Sequence, residues 1–225
     1  MNFSFKEHKN LIFVVFFSTL LLLSIVLNVV FVFTKPVVKY KIDDNILFFG
    51  DSLTARYDLD FYFPKKNVIN KGVGGEKTED LLERIDKDVY EYNPSKIFVQ
   101  CGINDIINDI DKEDILLNIR TIITGIKVNR SYAKVYMESL YPVNEKKVKD
   151  SDNEKHRKLN NKQIKEYNEE IKKICEDNNI IYINVFDEMT DKDGNLKELY
   201  TNDGLHLTNL GYLKLTSILK EYIEK

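Results

Sequence analysis

Five short runs of branched and aromatic residues, each followed by a longer amphipathic stretch, constrain this chain more than any other feature. The runs are Ile46–Phe49, Val68–Val73, Lys96–Cys101, Lys134–Leu140 and Ile180–Val185. Short apolar runs of this kind suit strands covered on both faces. Between them, Leu81, Leu82, Ile85 and Val89 fall on one helical face of Thr78–Tyr90. Ile115, Leu116, Ile119, Ile122, Ile123 and Ile126 do the same within Asp111–Val128, and Leu159–Glu176 and Leu210–Ile223 read alike. Strand–helix alternation predicts an α/β fold whose parallel sheet is covered by helices on both sides. No internal repeat or low-complexity segment interrupts the pattern.

A sheet of this kind gathers its reactive groups at the carboxyl ends of the strands. Gly50-Asp51-Ser52-Leu53 follows the first run, and Gly72, Gly74 and Gly75 follow the second. Gly102-Ile103-Asn104-Asp105 follows the third, and Asp203-Gly204-Leu205-His206 precedes the last helix. Serine is a weak nucleophile until a base takes its proton, and the base must be held in one tautomer by a third group. Of three histidines, His206 stands in such a setting, three residues after Asp203. Ser52, His206 and Asp203 therefore supply the parts of a nucleophilic triad. His8 and His156 lie among charges and read as solvated.

The four segments resemble, in order, the blocks of the SGNH, or GDSL, hydrolase family. Phe49-Gly50-Asp51-Ser52-Leu53-Thr54 matches the nucleophile block and Asn70-Lys71-Gly72-Val73-Gly74-Gly75 the second. Gly102-Ile103-Asn104-Asp105 matches the third, Asp203-Gly204-Leu205-His206 the fourth, and the resemblance extends from Asn45 to Lys225. It implies a three-layer flavodoxin-like fold with a five-stranded parallel sheet, and ester hydrolysis. Ser52 would attack the carbonyl, His206 would carry the proton and Asp203 would orient it. The oxyanion would be held by the backbone N–H groups of Ser52 and Gly75 and the side-chain amide of Asn104. Asp51 and Asp105 read as carboxylates that order their loops.

Other chemistries find less support. A net charge of -3 gives no basic patch for nucleic acid. Cys101 and Cys175 are too few for a disulfide framework and read as small core residues. There is no CxxC or histidine cluster for a metal, and the Gly72–Gly75 loop lacks the full dinucleotide-binding pattern, so no cofactor is expected. Asp191-x-Asp193-Gly194 lacks the closing glutamate of a calcium loop, and no G-x-S-x-G elbow occurs.

Residues Leu11 to Phe33 carry no charged side chain; Ser18, Thr19, Ser24 and Asn28 are the polar members. About 20 apolar residues suffice to cross a bilayer as a helix, and no small-x-small cleavage site follows. The expected layout is a tail at 1–10, one transmembrane anchor at 11–33, a linker at 34–44 and the hydrolase domain at 45–225. Lysines flank both sides of the run, so charge does not fix its orientation. The short tail favours a single-pass protein of the cell membrane with an extracytoplasmic body.

The expectation is thus a membrane-anchored serine esterase that removes a short acyl group, acetyl above all, from a carbohydrate. Its partners would be a small-molecule or glycan ester and, through the N-terminal helix, the membrane, with no nucleic acid and no obligate protein partner. A lysophospholipase or lipase is the second reading, with Tyr57, Phe61, Tyr62 and Phe63 as an apolar lip, although core packing explains those rings more simply. Acyl transfer to a glycan is the third, and a non-catalytic glycan-binding module the fourth. The charge-dense connection Glu145–Lys158 should emerge on the active-site edge, where it would suit a polar carrier better than a long acyl chain.

Overall fold

The computed structural model describes residues 15–26 and 43–224. The chain divides into two compact units, residues 1–40 and 41–225. In the first, residues 15–26 form a helix with exposed apolar side chains such as Phe16, Leu21 and Leu22. Among the described residues, no helix is long and apolar enough to cross a membrane. The rest of the expected span (11–14 and 27–33), the expected tail and linker residues 34–42 lie outside the described residues.

The second unit is built on β1 (Asp43–Gly50), β2 (Asn67–Gly72), β3 (Pro94–Gln100), β4 (Lys134–Glu138) and β5 (Ile181–Ile183). They form one sheet, parallel at every pairing, in the order β2-β1-β3-β4-β5. This is the flavodoxin-like order, and its switch point lies between β1 and β3. The expected strands are all present. β4 and β5 end earlier than expected: the last main-chain tie between them is the Ser139 N–H to the Ile183 carbonyl at 2.9 Å, and beyond it the Ser139 hydroxyl accepts the N–H groups of Val185 and Phe186 at 3.1 and 2.9 Å, where the chain turns into a helix.

Side chains alternate across the sheet with period two. Leu47, Phe49, Ile97, Val99 and Met137 face one layer of helices. Ile46, Phe48, Phe98, Tyr136 and Ile183 face the other. Phe48, Phe98 and Tyr136 occupy paired positions on β1, β3 and β4, and their rings stack at centroid distances of 4.8 and 4.6 Å. Those distances equal the spacing of neighbouring strands, so the ladder follows directly from register.

Among the described residues, nine α-helices surround the sheet: α1 (Ser52–Ala55), α2 (Leu59–Tyr62), α3 (Thr78–Ile85), α4 (Ile103–Ile107), α5 (Lys112–Asn129), α6 (Glu145–Lys149), α7 (Asn161–Asp177), α8 (Val185–Met189) and α9 (Asn209–Glu224). Helices α3, α5 and α7 bury their isoleucine and leucine stripes against the first face, whereas α9 covers the second with Tyr212, Leu215, Leu219 and Ile223. The expected helix Thr78–Tyr90 ends as α at Ile85 and continues as a wider π turn over Asp86–Tyr90. Tyr57 and Phe63 are buried against Phe48, in line with core packing, while Phe61 is exposed.

Candidate active site

Ser52 opens α1 directly beyond the end of β1. Asp51 caps this helix, its Oδ1 accepting the Leu53 N–H at 2.9 Å. The turn is tight: a methyl group on Gly50 would lie 2.3 Å from both the Gln100 carbonyl oxygen and Thr54 Oγ1. Only glycine allows β1, β3 and α1 to meet this closely, and that meeting lifts Ser52 above the sheet edge.

The histidine arrives from the loop before α9. His206 Nε2 lies 3.1 Å from Ser52 Oγ, and His206 Nδ1 lies 2.7 Å from Asp203 Oδ2. The other carboxylate oxygen of Asp203 accepts the N–H groups of Leu205 and His206 at 2.9 and 2.8 Å. Burial opposes ionisation of Asp203, but these hydrogen bonds outweigh it and hold the carboxyl below its usual range. An ionised Asp203 can only accept. The imidazole proton therefore sits on Nδ1, which leaves Nε2 free to accept from Ser52.

The remaining walls come from the loops after β2 and β3. A methyl on Gly74 would lie 3.9 Å from Ser52 Cβ, so the Gly74–Gly75 turn runs beside the nucleophile. Asn104 is buried in α4, and its Nδ2 donates to the Glu76 carbonyl at 2.8 Å. Asp105 accepts the Thr78 N–H at 3.1 and 3.0 Å and the Thr78 hydroxyl at 2.6 Å. These bonds tie the loop after β2 to the helix after β3 across the switch point. Asp51 and Asp105 thus order loops, as the sequence suggests.

Behind Ser52 lies a second group of acids that sequence reasoning missed. Glu138, at the end of β4, is buried and hydrogen-bonded to the Tyr141 hydroxyl. Burial pushes the carboxyls of Asp51 and Glu138 up to about 7 each, and each feels the field of other acids nearby. Asp51 Oδ2 and both polar atoms of the Gln100 side chain carry no hydrogen bond. An unpaired oxygen in this setting favours the protonated carboxyl.

His156 corrects an expectation. It is half-buried rather than solvated, and burial and the nearby His206 together lower its pKa. The segment carrying it forms α6 and a 3-10 turn, Glu154–Lys158. Val148 of α6 abuts Gly204, and Asn144 donates its N–H to the Gly204 carbonyl at 2.8 Å. On the other side Lys155 Nζ donates to Asn108 Oδ1 at 2.9 Å and Lys158 pairs with Asp109. This charged connection therefore spans from the His206 loop to the end of the Asn104 helix. Cys101 and Cys175 are free and buried. Among the described residues, no group of three or more His, Cys, Asp or Glu could hold a metal ion.

A flavodoxin-like sheet with a Ser-His-Asp constellation at its carboxyl edge defines a class of serine-type ester hydrolases. Residues 48–214 match the family of GDSL-like lipases and acylhydrolases. The chain belongs to that family. A Streptococcus pneumonia protein provisionally described as a platelet activating factor is 32% identical, with a TM-score of 0.75 over 82% of this chain and 86% of that one. A lipase/acylhydrolase from Enterococcus faecalis is 26% identical, with a TM-score of 0.68 over 81% of this chain and 96% of that one. An Escherichia coli N-acylneuraminate cytidylyltransferase is 27% identical over 186 residues, which are 80% of this chain and 40% of that protein. The chain thus spans less than half the length of the curated relatives it matches.

Proposed function

We propose that this enzyme hydrolyses short acyl esters, acetyl above all, carried on a carbohydrate. The observation that carries the reading is the unbroken relay from Ser52 Oγ through His206 to Asp203, at 3.1 and 2.7 Å. Ser52 Oγ attacks the ester carbonyl carbon while His206 Nε2 takes the hydroxyl proton. The carbonyl oxygen becomes an oxyanion, held by the N–H groups of Ser52 and Gly75 and by the amide of Asn104. Collapse breaks the bond to the alcohol oxygen, which leaves with the proton from His206. The acyl group remains on Ser52. Water then attacks, gives its proton to His206, and the second collapse frees the carboxylic acid and restores Ser52. Asp203 stays ionised and stabilises the imidazolium formed in each half.

The substrate reading is supported by the charged connection over Glu145–Lys158, which lies against Gly204. Placing hydrocarbon beside those charges is costly, whereas a hydroxylated carrier exchanges hydrogen bonds with them. The curated relatives are, by name, enzymes of an acylated sugar acid, which fits a carbohydrate carrier. The uncharged run 11–33 supports membrane anchoring.

The test is kcat/KM across acetyl, butyryl, octanoyl and palmitoyl esters of one leaving group, with Ser52→Ala as the blank. A maximum at acetyl with no turnover by Ser52→Ala is expected. A maximum at octanoyl or beyond would overturn the short-acyl reading in favour of a lipase, and turnover by Ser52→Ala would remove Ser52 from the mechanism.

A further inference from the structure

We infer that Arg84 is the residue that positions the oxyanion hole: one guanidinium fixes the segments carrying Ser52, Gly75 and, through Glu76, Asn104. The inference rests on the proposed roles of those donors. Arg84 stands near the end of α3 with its side chain largely buried. Its Nη2 donates to the carbonyl of Gly50, two residues before Ser52, at 3.0 Å. Its Nη1 donates at 3.0 Å to the carbonyl of Lys71, at the end of β2, where the Gly72–Gly75 turn begins. Its Nε donates at 2.6 Å to Oε2 of Glu76, the residue after Gly75. The carbonyl of that same Glu76 accepts the Asn104 amide at 2.8 Å.

Each of these acceptors lies within two residues of an oxyanion donor, belongs to the segment leading to one, or binds one directly. The guanidinium is planar and its N–H directions are fixed, so it sets the distances among its partners as well as their attraction. A lysine would be a point charge on a flexible stem and could not hold the fork. The plane lies over the Phe49 ring, 4.6 Å from its centroid, and Nη1 also reaches Asp88 Oδ2 at 2.8 Å. Both contacts limit how far Arg84 can swing.

Net stability is a poor explanation for this arrangement. Taking an arginine and its carboxylate partners out of water offsets most of their attraction, and apolar replacements of buried ion pairs are often neutral or stabilising. What the apolar replacement cannot supply is a common hub for two strand ends and a loop. Oxyanion stabilisation depends on that, because donors must lie within hydrogen-bond distance of where the charge develops rather than of the ground-state carbonyl.

The test compares Arg84→Lys, Asn104→Ala and the double variant in the full chain, with melting temperature, kcat, KM and the affinity of a boronic acid that mimics the tetrahedral intermediate. Arg84→Lys should lower kcat by about 10- to 100-fold, the scale set by a displacement near 1 Å, with KM changed little and boronate affinity falling in parallel. In the Asn104→Ala background the same substitution should still lower kcat, because the Ser52 and Gly75 segments also hang on Arg84, but by less than it does alone, since interacting sites do not add. Wild-type kcat in Arg84→Lys, a loss seen only in KM, or a full additive loss in the double variant would overturn the inference. Should Arg84→Lys not fold, Glu76→Gln decides by the same readouts, because it keeps the backbone acceptor for Asn104 and weakens only the link to Arg84. Wild-type kcat in Asn104→Ala alone would instead fault the oxyanion assignment itself.

Discussion

Gly204 stands between the acid and the base of the triad, and replacing it with alanine tests how the His206 loop is built. Its φ is +90°, in the left-handed region that L residues avoid. An added methyl would lie 2.7 Å from both the backbone nitrogen and Cγ1 of Val148, and 2.9 Å from the Asn144 carbonyl oxygen. Two of those three atoms are backbone of α6 and its N-cap and cannot move without shifting the helix. Gly194 separates the two effects: its φ is +80°, yet a methyl there meets nothing within 4 Å. Gly194→Ala should therefore cost only the conformational term, about 1–2 kcal/mol. Gly204→Ala adds an overpacking term of about 1–3 kcal/mol. At roughly 2–4 °C per kcal/mol for a unit of this size, the melting temperature should fall by roughly 2–8 °C for Gly194→Ala and by about twice that for Gly204→Ala. Only Gly204→Ala should lose turnover, by about tenfold or more, because Asp203 and His206 flank the displaced residue. The assay is thermal unfolding together with kcat on an acetyl ester. Equal melting temperatures for the two variants, or wild-type kcat in Gly204→Ala, would refute the reasoning.

Three further outcomes follow from the same geometry. Asn104→Ala should lower kcat by roughly 10²–10³-fold with little change in KM, because its bond strengthens in the transition state; a raised KM at wild-type kcat would make it a substrate-binding residue instead. Asp51 and Glu138 hold their protons to about pH 7 when folded, against ordinary values of 3.8 and 4.5. The native state therefore binds more protons than the unfolded chain in that window. Their contribution to stability should be fully present below pH 3.8 and fall as pH rises toward 7, by about 1.4 kcal/mol per pH unit for each group. Asp51→Asn should flatten the decline in urea midpoints between pH 4.5 and 7, and an unchanged slope would count against a buried proton on Asp51. Full-length protein should resist alkaline carbonate extraction from membranes while a chain starting near Lys41 should be soluble and active; release of the full-length protein would count against the anchor.

The layout of the fold is legible because its signals are periodic and local. Runs such as Ile46–Phe49 announce buried strands, and the isoleucines of α5 recur at helical spacing. The triad is legible for a related reason: Asp203 and His206 are three residues apart, and Ser52 follows directly on an apolar strand. Glu145–Lys158 misleads in one respect, since α6 and the 3-10 turn there carry too few apolar residues to show periodicity; Val148 alone is buried. His156 reads as solvated because its neighbours are charged, yet burial depends on what the fold brings beside it. The burial of Asp51 and Glu138 is likewise tertiary. Arg84 escapes notice for a more basic reason. Two of its acceptors, the carbonyls of Gly50 and Lys71, belong to the main chain, and a carbonyl has no letter in a sequence.

The two halves of the site differ in how their geometry is secured, and that difference has consequences for mutation. Acid and base form a local unit, closed by Asp203 on His206 and on two backbone N–H groups within the same turn. The nucleophile and the proposed oxyanion donors form a dispersed one. Ser52 follows β1, Gly75 follows β2 and Asn104 follows β3, three strands that are neighbours in the sheet but are joined through long crossovers. Their relative positions depend on bonds between these segments: Asn104 to Glu76 and Thr78 to Asp105 across the switch point, and Arg84 to Gly50 on the β1–β2 side of it. A local unit fails when one of its own residues changes. A dispersed one also fails when a distant tie is cut, because no single loop contains enough bonds to hold its donor in place. Substitutions that lower kcat without touching KM should therefore cluster around the loops after β2 and β3, and should reach further from the substrate there than around His206.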